Sequence, residues 1–278
     1  MYYFLRILSY IISSLSGSAS RNAGMFIGRF LYRFYTYRKD EALENIKKAM
    51  PEYPIKNINN LIPKLYEHFG ITFIEALRHN SMNFDRELTV ENLTILDNAL
   101  ALRKGVILLS GHFGNWELIP VWLAKNGYPL NCIIQRLKNK GANKFLFEHR
   151  SFTGATLLYR NMPFNELANV LEKGEILALA SDQDFRKKGV FLDFFNIPSS
   201  TPKGAAVFHL KTGAPMILTI CYMNTSGKWH LKFDTIPTYK YDKIETIMQR
   251  YNHMLENEIR KRPEQYFWFH RRWKTKPN

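Results

Sequence analysis

The chain has 278 residues, of which 46% are hydrophobic and 23% charged, with a formal net charge of +15. That is ample material for a buried core and excludes a disordered or low-complexity chain. Two cysteines, Cys132 and Cys221, exclude a disulfide framework and a four-cysteine zinc site. The charge itself points to a polyanion: nucleic acid, a membrane surface or an acidic substrate.

The charge sits at the ends. Residues 1–40 carry six bases against one acid, and residues 260–278 carry seven against one. The intervening 219 positions hold 26 bases and 22 acids, an ordinary globular balance.

In chain order, the first segment is an apolar run over 2–15 interrupted by Arg6 and serines. It is shorter than the roughly 20 residues that span a bilayer. Small residues at 17–20 leave a secretory signal open, although little basic charge precedes the run and the next segment stays apolar. Over 24–37, Ile27, Phe30, Leu31 and Phe34 share one helical face, with Arg29 and Arg33 roughly opposite. Such a helix lies in a membrane interface or packs on the protein's own core. Residues 1–38 are therefore read as an N-terminal membrane-associating segment, an interfacial anchor or a tilted span. Residues 39–278 are read as the main globular domain.

Helices are expected over 41–49 and 55–80. From about 88, short apolar runs alternate with helices. Strands are expected at 106–109, 130–134, 156–159, 176–180, 190–194, 214–222 and 229–233, and helices at 116–126, 140–151, 164–173, 202–212 and 241–262. The alternation predicts an α/β layered fold with a largely parallel central sheet flanked by helices. Such sheets place ligands at the carboxyl ends of their strands.

The sharpest local feature is Ser110-Gly111-His112-Phe113-Gly114-Asn115-Trp116-Glu117, where an apolar strand runs into a glycine-flanked turn and then a helix. On a continuous helix His112 and Glu117 would not share a face. A turn over 111–115 can fold them together, so that Glu117 holds one imidazole nitrogen while the other faces substrate, a general-base dyad. The competing reading is a His and a Glu that only cap the helix. No Gly-x-Ser-x-Gly motif is present and no cysteine lies near a histidine in sequence, so the nucleophile of such a dyad arrives with the substrate.

The His112-to-Glu117 spacing resembles the signature of the lysophospholipid acyltransferase superfamily, and the chain looks most like the bacterial lipid A late acyltransferases. Further matches are Arg150 with Gly154 beyond it, Ser181-Asp182-Gln183-Asp184, the 189–201 segment, and Pro263-Glu264-Gln265-Tyr266-Phe267-Trp268-Phe269-His270-Arg271-Arg272-Trp273-Lys274. The resemblance implies acyl transfer from an acyl thioester, either acyl carrier protein or acyl coenzyme A as co-substrate, to a hydroxyl of an acylated glycolipid. It implies no bound cofactor or metal. His112 and Glu117 would be catalytic. Gly114, Asn115, Asp182, Asp184, Arg136 and Arg150 would bind or order substrate. Backbone N–H groups over 114–116 and Arg150 are candidate oxyanion donors; Arg136, Lys138, Arg150 and Arg160 are candidate phosphate ligands. Asp182 and Asp184 would pair with arginine or shape a loop. Residues 263–274 suit a membrane surface or an internally packed tail. The implied partners are a transient acyl carrier protein, an anionic membrane and a phosphorylated glycolipid, and the implied place is the cytoplasmic face of the bacterial inner membrane. The same family includes acyltransferases for mannosylated phosphatidylinositol.

Two other classes stay in view. A non-catalytic basic protein would bind membrane or nucleic acid, but no nucleic-acid-binding signature is present. A metal hydrolase using His112, Asp182, Asp184 and His209 fits no metal motif.

Overall fold

A computed structural model describes residues 1–277. Four helices come first: α1 (Tyr2–Ser13), α2 (Gly17–Phe30), α3 (Lys39–Ala49) and α4 (Ile55–Arg78). Then follow α5 (Phe84–Glu87), β1 (Leu88–Glu91), α6 (Leu93–Ala101), β2 (Val106–Ser110), α7 (Leu118–Lys125), β3 (Leu130–Ile134) and α8 (Lys140–Ser151). After these come β4 (Thr156–Tyr159), α9 (Phe164–Glu172), β5 (Ile176–Ala180), the hairpin β6 (Val190–Phe194) and β7 (Ile197–Thr201), and α10 (Gly204–Thr212). The chain closes with β8 (Met216–Met223), β9 (Trp229–Thr235) and α11 (Ile244–Lys261).

Seven strands form one sheet in the order β1-β9-β8-β2-β5-β3-β4. The five strands from β8 to β4 run parallel, while β9 pairs antiparallel to β8 and carries β1 alongside it. The fold is the expected α/β class. Its central strand shows why: Val106-Ile-Leu-Leu is apolar without alternation, as a strand covered on both faces must be. Ile107 and Leu109 pack into the layer that includes α9, α10 and α11, whereas Val106 and Leu108 pack into the layer with α6 and α7.

Most expected elements agree to within two or three residues. The sequence reading misses α5, β1, α6 and β7. The β6–β7 turn is made by Phe195 and Asn196, with φ of 55° and 57°, a primed turn without glycine, and Pro198 stands inside β7. Both features hide a hairpin from pattern reading.

At the N-terminus the expected stripe of Ile27, Phe30, Leu31 and Phe34 divides. Ser20, Gly24 and Gly28 form the buried face of α2. They lie against α4 at Gly70, where a Cβ on Gly24 would come within 2.5 Å of Ile71 Cα and one on Gly70 within 2.1 Å of Gly24 O. Only glycine permits that approach. Ile27 and Leu31 therefore lean onto protein, while Phe26, Phe30 and Phe34 stay exposed. Arg29 pairs with Glu67 of α4. Among the described residues, no helix is long and apolar enough to cross a membrane.

Candidate active site

The parallel register of β2 and β5 builds the site. Ser110 and Ala180 are Cα partners at the last rung of that ladder. Two residues further along each chain stand His112 and Asp182, at the carboxyl ends of neighbouring strands. Asp182 is 2% exposed and engages His112 twice. Its Oδ1 lies 2.8 Å from Nδ1, and its Oδ2 accepts the His112 backbone N–H at 2.9 Å. Burial opposes the charge on Asp182, but the His112 imidazole and backbone N–H and the Arg272 guanidinium outweigh it, holding the carboxyl at about 2. An ionised carboxylate only accepts, so Nδ1 carries the proton and the lone pair sits on Nε2. For His112, burial works to lower the pKa, yet the charge and hydrogen bond of Asp182 raise it above the ordinary value of 6.5.

This corrects the expected dyad. Asp182, not Glu117, holds the imidazole Nδ1. Glu117 faces Arg150 in a two-pronged pair, with Nε to Oε2 at 3.0 Å and Nη2 to Oε1 at 2.5 Å, and it accepts from the Trp116 indole at 3.2 Å. The charge of Glu117 is the first cause raising the Arg150 pKa, and it also adds to the field that raises His112. Asp182 likewise takes its hydrogen bonds from His112 rather than from an arginine. The reason is topological: a carboxylate five residues away on the same loop loses to one that the sheet delivers to the ring.

The loop is clamped from below. Gly114 has φ of 60°, and a Cβ there would lie 1.9 Å from Cys221 O. The Gly114 N–H donates to Gln265 O at 2.8 Å, and the Asn115 N–H to Cys221 O at 2.7 Å. Two of the three backbone donors expected to form an oxyanion hole are thus spent on the fold. Two nitrogens of Arg150 are spent on Glu117. Asn115 is fully buried and its carbonyl accepts from Leu118; the helix α7 begins at Leu118 rather than at 116. Asp184 accepts from Thr275 at 2.9 Å. Arg136, exposed beyond β3, stacks its guanidinium 4.2 Å from the Tyr159 ring centroid.

The C-terminal segment forms the site's other wall. Phe267 N–H donates to His112 O at 2.9 Å, and the Gln265 side chain bonds both Met223 N and O. Trp268 and Phe269 are buried, and Asn45 of α3 donates to the carbonyls of Trp268 and His270. Of the two readings for 263–274, the internally packed tail is the one observed. The cations of the C-terminal end are mostly paired rather than buried: Arg260 with Glu52, Lys261 and Arg262 with Glu258 and Arg271 with Glu41 at the surface, while Arg272 is buried on Ser200 O and Thr201 Oγ1.

On its open side, His112 is a quarter exposed. Its ring meets Trp116 and Phe267, and Nε2 lies 3.3 Å from the Gln183 amide nitrogen. Neither Gln183 nor Arg272 was singled out for the chemistry by spacing. The usable signal was the two-residue offset of His112 and Asp182 from paired strands. Among the described residues, no group of three His, Cys, Asp or Glu is placed to hold a metal. His209, the outlying member of the metal reading, engages Ala214 O.

The arrangement is that of an acid–base site: a carboxylate-braced imidazole with an outward lone pair, at the carboxyl edge of a doubly covered α/β sheet. The chain belongs to the bacterial lipid A biosynthesis acyltransferase family, whose model matches residues 1–275. It is 25% identical over 270 residues to the lipid A biosynthesis palmitoleoyltransferase of Escherichia coli, covering 91% of this chain and 84% of that one. It is 24% identical to the lauroyltransferase of the same organism, over 91% and 85% of the two chains. To the phosphatidylinositol mannoside acyltransferase of Mycolicibacterium smegmatis it is 26% identical over 69% of this chain and 66% of the relative. The chain therefore spans slightly under two thirds of that mannoside acyltransferase's length.

Proposed function

We propose that the protein transfers a fatty acyl chain from an acyl thioester, carried by acyl carrier protein, to a hydroxyl of an acylated glycolipid, a lipid A precursor. The observation that carries this reading is the His112–Asp182 pair with Nε2 left to face a substrate. His112 takes the proton of the acceptor hydroxyl as its oxygen attacks the thioester carbonyl. Asp182 fixes the tautomer and balances the imidazolium that forms. The Glu117–Arg150 pair orders the wall beside the ring, and it replaces the direct Glu117–His112 contact in this mechanism. Acyl coenzyme A offers the same thioester and is the alternative donor. Mannosylated phosphatidylinositol is the second acceptor, favoured by the similarity to the mycobacterial enzyme.

The reading includes work at the cytoplasmic face of the inner membrane. Tyr3, Phe4, Ile7 and Tyr10 on α1 are exposed, as are Phe26, Phe30 and Phe34, and the Arg33 guanidinium lies over the Phe34 ring. That combination suits shallow burial among anionic headgroups.

The test is mass spectrometry of membrane lipids with and without an active copy, alongside acyl transfer by purified protein from acyl carrier protein. One added acyl chain is expected with the wild type. His112→Ala is expected to lower the rate by about 10²–10⁴, the span of general-base contributions, with the melting transition retained. Full activity in His112→Ala would remove the base from this reading.

A further inference from the structure

We infer that the Gln183 side-chain amide is the oxyanion donor of the transfer, an inference that rests on the acyl-transfer reading above. An attack on a thioester carbonyl puts negative charge on one oxygen, and that oxygen needs an N–H donor close to where the base works. The N–H groups of Gly114 and Asn115 end on Gln265 O and Cys221 O. The Nε and Nη2 groups of Arg150 end on Glu117.

Gln183 differs. It follows directly on Asp182, whose two oxygens are pinned to His112, so its backbone is placed by the same contacts that place the base. Its amide nitrogen lies 3.3 Å from His112 Nε2, the nitrogen that carries the lone pair. In the free protein the amide therefore donates to the base. When an acceptor hydroxyl takes that place on Nε2, the amide N–H is released beside the reacting atoms. A position about 3 Å from both the base's substrate and a free donor is the geometry an oxyanion requires.

The step balances. The hydroxyl oxygen bonds to the thioester carbon as its proton passes to Nε2, and the carbonyl π pair moves onto oxygen, where the Gln183 N–H holds it. Collapse restores the carbonyl, breaks the C–S bond and sends the His112 proton to the departing thiolate. The products are an ester and a free thiol.

The experiment compares wild type, Gln183→Glu, Gln183→Ala and His112→Ala in one assay, with purified protein, acyl carrier protein thioester and a lipid A precursor as acceptor. Gln183→Glu keeps the shape but replaces the donor with an acceptor. Both Gln183 variants are expected to lose about 10²–10³ in kcat, with KM for either substrate changed less than about threefold and the melting transition retained. In Gln183→Ala the acid limb of the kcat profile is expected to stay where the wild type has it, because in the substrate complex the hydroxyl rather than the amide occupies Nε2 and the His112–Asp182 contact is untouched. Loss confined to KM, or kcat within about threefold of wild type in both variants, would overturn the inference. If the wild type transfers acyl groups and His112→Ala does not, while Gln183→Ala remains fully active, the base reading stands and the donor assignment alone fails. An inactive wild type would instead sink the acyl-transfer reading itself.

Discussion

The two ends of the chain have nearly the same composition, basic and aromatic, and opposite fates. The C-terminal end is folded into the molecule. Its Trp268 and Phe269 are buried, its cations are largely paired, and Phe267 and Gln265 hold the His112 loop by its backbone. The N-terminal end is laid on the outside. Glycines of α2 press against α4, and the aromatic side chains next to them are left facing away from the protein. The difference teaches that a basic, aromatic stretch carries no fixed destination. Packing decides it: cations at both ends find carboxylates, Arg29 on Glu67 as Arg271 on Glu41, but Trp268 and Phe269 enter the core, whereas the exposed phenylalanines of α2 stand off a contact face taken by the small residues Ser20, Gly24 and Gly28.

The largest effect that would sharpen this contrast is on stability. Trp268 is 1% exposed, and its indole donates to Pro263 O at 2.7 Å. Trp268→Ala is expected to cost about 3–5 kcal/mol in chemical denaturation, the range for removing a large buried aromatic. A loss under about 1 kcal/mol would mean that the C-terminal end is not part of the core.

Next comes the coupling of that wall to the chemistry. Asp182→Asn is expected to lower kcat/KM by about 10²–10³, since it removes both the orienting acceptor and the charge that balances the imidazolium. The base must be deprotonated to act. The wild-type acid limb should therefore lie above 6.5, the direction in which Asp182 shifts His112. With the Asp182 charge gone, burial remains as the main influence and lowers the His112 pKa, so the limb should move to lower pH. An unmoved limb would show that another group sets it. Stability carries the companion sign. Asp182 sits at about 2 against an ordinary 3.8, so its contribution is complete above the ordinary value and is lost as pH falls toward 2. Acid unfolding of Asp182→Asn should lack that component.

The smallest structural effect is expected at the other end. A double substitution of Phe30→Ser and Phe34→Ser should change folding stability by no more than about 0.5 kcal/mol, as exposed positions do. It should weaken sedimentation with anionic vesicles severalfold. If stability falls by several kcal/mol while vesicle binding is unchanged, the two ends are alike after all, and the comparison breaks.

Much of the fold was legible along the chain because its signals are local. Buried parallel strands read as apolar runs, which delimit β3 and β5, and the edge strand β4 and the hairpin strand β6 also keep their expected bounds. The hairpin strand β7 was not legible, because its turn uses Phe195 and Asn196 at positive φ where a pattern reader looks for glycine. Within the site, His112 was singled out by the glycine-flanked turn after β2, and Asp182 by resemblance. Their contact was not legible. The choice between Glu117 and Asp182 separates a partner five residues away from one seventy residues away, and short spacing is a poor guide when a sheet is present.

By itself, the sequence determined the α/β class, the strand-to-turn placement of His112 and the concentration of charge at the ends, since each follows from residues adjacent in the chain. The tertiary structure alone decided which carboxylate braces the imidazole, which donors remain near its Nε2, and which end of the chain faces outward. Those outcomes depend on the β2–β5 register and on the close crossing of α2 and α4, where position in space is set by packing between segments that the sequence keeps far apart.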